Sequence, residues 1–279
     1  MTHPLRRLLA LVALGVAFAM PARATTYSID FSDIWWNAAE SGWGINVIQR
    51  SDIIFATLFV YGQDNTARWY SATLRPVSPQ PSGLPRFTGQ LIRTTGPWFG
   101  APTFATPPVG IVPVGNITLS FNSPVTGTLA YDVDGVTVNK EITRQPFGSE
   151  NLAGQYQGGM VAIASQCANP SNNGIADIRG TMVATHTGAG ATLRANFVIS
   201  IDTSSVCTFN GPYQQLGRMA TISGGTFACV VGNQQANSGT FSMTALDAQA
   251  NGFHASFTGA DQFCTYKGQF GGLRDVVGN

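Results

Sequence analysis

Charge is scarce in this chain. Lys, Arg, Asp and Glu make up 10% of its 279 residues, against about a quarter in an ordinary globular domain. Lys140 and Lys267 are the only lysines, and the formal net charge is +1. A nucleic-acid binder carries a basic face, and a protein held on anionic lipid carries a Lys/Arg cluster. Neither pattern occurs, so no nucleic-acid partner is expected. Histidine is almost missing: His3, His186 and His254 are the only three. A Ser–His catalytic set would have to draw on Thr185-His186-Thr187 or Phe253-His254-Ala255, both strand-like runs. The spacings G-x-S-x-G, S-x-x-K and H-E-x-x-H do not occur. There is no C-x-x-C, and no His lies at ligand spacing from a Cys, so no metal site is expected. Asp132-Val133-Asp134-Gly135 opens like a calcium loop but lacks the Glu at its twelfth position. Nothing in the chain asks for a cofactor.

Long apolar runs are lacking too, with one exception at the start. Arg6 and Arg7 precede an apolar stretch from Leu8 to Ala19, and Ala22-Arg23-Ala24 follows Pro21. A basic start, a short apolar core and an A-x-A end read as a secretory signal peptide over residues 1–24. The stretch is short for a membrane span, and no second one exists, so no transmembrane helix is expected. Loss of Arg6, Arg7 and Arg23 with that segment takes the formal balance from +1 to −2.

Gly and Pro, in contrast, are abundant, at 32 and 15 residues. Few windows between them show a helical period, whereas alternation is frequent. Ile117, Leu119 and Phe121 alternate with Thr118 and Ser120. Leu129, Tyr131 and Val133 run into Asp134-Gly135, after which Val136 and Val138 continue. Asp-Gly between alternating runs signals a two-residue hairpin, since both turn positions need positive φ. Ile53 to Tyr61 and Arg68 to Leu74 form another strand pair around Gln63-Asp64-Asn65. The fold class that follows is all-β, with two antiparallel domains of about eight strands each. A barrel-like meander is favoured over a sandwich. The first half offers strands near 27–31, 43–49, 53–61, 68–75, 86–93, 115–121, 127–133 and 136–143. Pro/Gly-rich loops are expected over 76–85 and 95–114, the second long enough to be functional. The second half offers strands near 153–165, 175–185, 191–201, 206–214, 219–230, 239–246, 252–259 and 262–271. The division falls near residue 148. All five Trp (35, 36, 43, 69, 98) lie before it and all four Cys after it. The expected units are a Trp-rich β domain over 25–147 and a disulfide-containing β domain over 150–279.

Four Cys in an exported chain read as two disulfides, with three possible connectivities. If 206–214 and 219–230 form a hairpin, the register that sets Cys207 opposite Cys229 also sets Phe209 opposite Phe227. Facing residues lie within disulfide reach. Closing an eight-strand meander brings its first and last strands together, which can place Cys167 near Cys264. Cys207–Cys229 with Cys167–Cys264 is therefore the favoured pairing.

The densest signal runs from Asp33 through Trp35-Trp36-Asn37 and Glu40-Ser41-Gly42-Trp43-Gly44, followed by Phe55-Ala56-Thr57-Leu58-Phe59-Val60-Tyr61 and Trp69-Tyr70. It resembles a module recurring in exported bacterial proteins of uncharacterised function. The match is close over about residues 31–75. The second half is similar to a partner domain of such proteins in Leu152-Ala153-Gly154, Tyr156, Cys207-Thr208-Phe209-Asn210-Gly211, Gly217-Arg218-Met219 and Gly271-Gly272-Leu273-Arg274. The resemblance implies secretion and a β fold, and it supplies no activity.

The aromatic segment has two physical readings. Its Trp rings can stack on sugar rings or other flat surfaces while Glu40 or Asn37 accepts hydrogen bonds, or the rings can simply fill a core. Trp98-Phe99 lies among Pro97, Gly100 and Pro102 in the long loop and is harder to bury. The candidate ligand-binding residues are Trp35, Trp36, Asn37, Glu40, Trp43 and Trp98, with no catalytic residue assigned. The function that follows is a secreted, periplasmic or extracellular, non-catalytic binding protein. Its partner would be a small molecule, a glycan or a protein. Its site would lie on the Trp-bearing face or in the barrel mouth of the first domain. Two alternatives stand beside it: a glycan-acting hydrolase using Glu40 with Asp33 or Asp64, and an outer-membrane β-barrel.

Overall fold

Alternation becomes two closed barrels in the computed structural model, which describes residues 29–77, 84–102 and 108–275. The expected signal peptide and its cleavage point lie outside the described residues, as do parts of both Pro/Gly-rich loops. The first barrel comprises β1 (Asp33–Trp36), β2 (Gly44–Arg50), β3 (Ile53–Tyr61), β4 (Ala67–Val77), β5 (Arg86–Thr95), β6 (Gly110–Phe121), β7 (Thr126–Val133) and β8 (Val136–Arg144). Each strand pairs antiparallel with the next, and β8 returns to β1 through Trp35↔Arg144 and Trp36↔Thr143.

Several boundaries differ from the sequence reading, in this barrel those of β1 and β6 most. The first strand is Asp33–Trp36 rather than 27–31, because the Trp pair itself supplies the closing strand. The strand β6 starts at Gly110, inside the expected loop, and accommodates Pro113 opposite Ile92 beside a register shift.

The second barrel comprises β9 (Gly154–Ser165), β10 (Gly174–Thr187), β11 (Arg194–Ser200), β12 (Ser205–Leu216), β13 (Met219–Val231), β14 (Gln234–Gln249), β15 (Gly252–Asp261) and β16 (Thr265–Arg274). It is again a meander, and β16 closes on β9 in register from Thr265↔Ser165 to Arg274↔Tyr156. Cys207 faces Cys229 and Phe209 faces Phe227, and the disulfides are Cys207–Cys229 and Cys167–Cys264. Disulfides persist in oxidising compartments, and among the described residues no helix is long and apolar enough to cross a membrane. The disulfides fit an exported protein.

Both interiors are apolar. In β3, Ile54, Ala56 and Leu58 point inward and are buried, while Phe55 and Phe59 point out. One end of the first barrel is sealed by aromatics. Phe31 stacks on Phe121 with ring centroids 3.8 Å apart, and Trp35 and Phe87 pack against the same ring. This sealed end faces the second barrel.

A hairpin tip makes the junction. Gly217, between β12 and β13, has φ +63°, and a Cβ there would lie 2.3 Å from Asp33 Oδ2. Glycine is therefore required both for the turn and for the approach. The Arg218 amide donates to Asp33 Oδ2 (2.8 Å), and its guanidinium reaches Asp30 (3.0 Å) and Asp247 (2.5 Å). Asp33 also pairs with Arg144, which is fully buried over the Trp35 ring. Arg144 donates further to the carbonyls of Asp30, Ser32 and Pro124. A buried guanidinium is tolerable only when so satisfied.

Candidate functional site

The opposite end of the first barrel is open. Chain direction puts four connections there: residues 37–43, 62–66, 96–109 and the Asp134-Gly135 turn. Inside the rim the packed core stops short. Leu58 and Tyr70 face each other across β3 and β4, and beyond them Val60, Tyr131 and Val133 are only partly buried. A concavity of about 1030 Å³ results, lined by Val60, Tyr70, Tyr131 and Val133 with Tyr61, Val136 and Val138. Pockets for small organic ligands run from roughly 300 to 1,000 Å³.

Each cation on the rim has a carboxylate partner. Asp64 pairs with Arg68 across the β3–β4 turn at 2.7 Å, and Asp134 with Arg93 at 2.9 Å. Hydrogen bonds from the Thr66 hydroxyl and amide, with Arg68 adding to them, hold the Asp64 carboxyl below its ordinary value. Lys140 reaches Glu40 at 2.7 Å. That contact, joined by the Trp43 indole N–H at 3.1 Å, keeps Glu40 below the ordinary glutamate value. Burial raises Tyr131, and the neighbouring Tyr70 and Glu40 raise it further. Tyr131 therefore remains a neutral hydroxyl that can donate or accept.

The residues singled out from sequence separate into several environments. Trp35 is 0% exposed, and its indole donates to the Phe31 carbonyl. It cannot meet a ligand, because alternation along β1 turns it into the barrel. Trp36 turns the other way, lies half-buried on the outer surface, and leaves its indole nitrogen without a partner. Asn37 organises its own loop, accepting from the Ala39 amide and donating to the Glu141 carbonyl on β8. Trp43 packs on the core from the open end, tied to Glu40. Gly42, at φ +118°, makes the turn that brings it there. Trp98 is 69% exposed and Phe99 90% exposed, in the loop leaving the same end.

The carboxylate pairs imagined for hydrolysis do not assemble. Asp33 belongs with Arg144 at the sealed end, while Glu40 belongs with Lys140. Those partners are four residues apart on β8, roughly 13 Å along a strand. Asp64 is committed to Arg68 and Thr66.

Sequence reasoning missed Tyr61, Tyr70, Tyr131, Arg93 and Asp134. Tyr70 and Tyr131 do leave a trace, since each puts a hydroxyl near the end of an inward-facing alternation. Arg93 and Asp134 are 41 residues apart and meet only through the strand order. Among the described residues no group of His, Cys, Asp and Glu could hold a metal ion. No family model matches the chain, and no curated protein is similar to it.

Proposed function

We propose that the protein is an exported, non-catalytic binding protein whose ligand enters the open end of the first barrel. The compartment would be the periplasm or the extracellular medium. One observation carries the reading: the barrel is sealed at one end by Phe31, Trp35, Phe87 and Phe121 and left concave at the other. Barrel mouths are recurrent ligand sites. Surface aromatics around the opening strengthen it, with Tyr61 60% and Trp98 69% exposed.

Two features count against hydrolysis. A general acid needs a raised pKa, whereas Glu40 is held low. A glycosidase also needs a second carboxyl at about 5–9.5 Å, and both candidates are engaged with other groups, Asp33 with Arg144 and Asp64 with Arg68 and Thr66. The interior counts against the outer-membrane reading, since a transmembrane barrel is polar within and both interiors here are apolar.

Ligand-observed NMR with a fragment library on the intact protein tests the proposal. Hits should be lost together in Tyr61→Ala and Arg93→Ala, both at the rim. Hits indifferent to both substitutions would place binding elsewhere and end the reading.

A further inference from the structure

We infer that the open end of the first barrel takes a neutral oligosaccharide, an inference that rests on the binding reading above. An anionic ligand such as a phosphate ester or acidic peptide needs an uncompensated cation. Here each rim cation already faces a carboxylate: Arg68 with Asp64, Arg93 with Asp134, and Lys140 with Glu40. Pairing of this kind cancels the field for ligands of either sign. A purely hydrocarbon ligand fails for the opposite reason. It would strip water from two ion pairs and the tyrosine hydroxyls and offer no hydrogen bonds in exchange.

A sugar ring meets both demands. Its C–H faces lie flat on aromatic rings, which Tyr61 and Tyr131 supply at the concavity. Its hydroxyls each donate and accept, and a carboxylate beside a guanidinium offers an acceptor and a donor side by side. Two such pairs, Asp64–Arg68 and Asp134–Arg93, line the same concavity. At about 1030 Å³ the concavity exceeds what one ring would fill. Trp98 and Phe99 add exposed rings on the loop leaving the same end, 5.6 Å apart and tilted by 55°. The ligand is therefore a chain of rings.

Isothermal titration of the intact protein tests this with cellohexaose, xylohexaose, maltohexaose and chitohexaose. A hyaluronan hexasaccharide serves as the charged probe and Nile red as the apolar one. At least one neutral hexasaccharide should bind with a Kd below about 1 mM. Its affinity should change less than about twofold between about 50 and 500 mM salt, since no net charge is engaged. Tyr61→Ala and Asp134→Asn should each weaken it by about tenfold or more. Both positions are exposed, so folding is not at risk. Should hyaluronan or Nile red bind instead, with the same sensitivity to Tyr61→Ala, the saccharide class is overturned and the mouth survives as a site. Should no probe respond to either substitution, the inference and the binding reading fall together.

Discussion

The two barrels have the same strand number and topology but hold themselves shut differently. The second is closed along β9 and β16 in continuous register from Thr265↔Ser165 to Arg274↔Tyr156, and Cys167–Cys264 fastens that seam at one end. Its interior is filled by contacting rings, among them Phe197, Phe209, Phe227, Phe241, Phe253, Phe257 and Phe270. The first barrel closes through the four-residue β1, with two registered pairs to β8 and no cysteine. Arg144 compensates by binding three carbonyls and Asp33 around that short seam. The contacting rings occupy the interior of the second barrel, whereas the first keeps a concavity at its open end. The barrel that keeps an open end is also the one whose closing seam is held by a polar clasp.

The largest test of that contrast is reduction. Opening the disulfides should cost the second barrel roughly 2–5 kcal/mol per bond and leave the first unaffected. All five Trp lie in the first half, so Trp fluorescence reports on that barrel alone. In a urea melt with dithiothreitol its midpoint should hold while the tyrosine and near-ultraviolet dichroism signals shift. A common shift would mean the barrels do not differ in this way.

Next comes the contrast within the Trp set. Trp35→Ala should destabilise the first barrel by roughly 3–5 kcal/mol, as expected for a large ring removed from a core. Trp98→Ala should stay within about 0.5 kcal/mol of the parent protein. Acrylamide should quench the Trp98 contribution and spare that of Trp35.

A smaller effect is expected at Gly42. Its φ of +118° is unfavourable for any branched side chain, so Gly42→Val should cost roughly 1–3 kcal/mol. The neighbouring exposed Ser41→Ala should be neutral. Equal melting of the two variants would remove the argument for a required turn before Trp43.

The smallest effect concerns acid. Hydrogen bonds from Ser32 and the charge of Arg218 outweigh desolvation and hold Asp30 below the ordinary carboxylate value. A depressed carboxyl contributes stability that is constant above about pH 4 and is lost as the pH falls through its folded value. The junction should therefore loosen only below about pH 4. Small-angle scattering would show the inter-barrel distance spreading there, and Arg218→Ala should show the same spread at neutral pH.

Much of this architecture was legible in the residues. The Asp134-Gly135 turn carries the two positive φ values, 48° and 86°, that its residue types imply. Pairing Cys207 with Cys229 across a hairpin was enough to set Phe209 opposite Phe227. Trp35 and Trp36 show where such reading stops. Alternation says that one faces in and the other out, but which one depends on the closing partner, β8, more than a hundred residues away. The same distance hides the junction, where Arg218 meets Asp30 and Asp33 across 188 and 185 residues. A hairpin tip such as Gly217-Arg218 looks like any surface turn until a neighbouring barrel supplies its carboxylates. The open end was hidden for a related reason: a concavity is a place where core residues fail to meet, and local patterns record only those that do.

The position of Asp33 has a mechanical consequence. It is the first residue of the closing strand, it holds Arg144 at the end of the strand opposite, and it accepts the Arg218 amide from the other barrel. Tension that pulls the barrels apart therefore runs through Asp33 into the β1–β8 seam, the shortest zipper in the molecule. Parting the barrels and unzipping the first of them are then a single yielding event, with the disulfide-fastened barrel acting as the anchor.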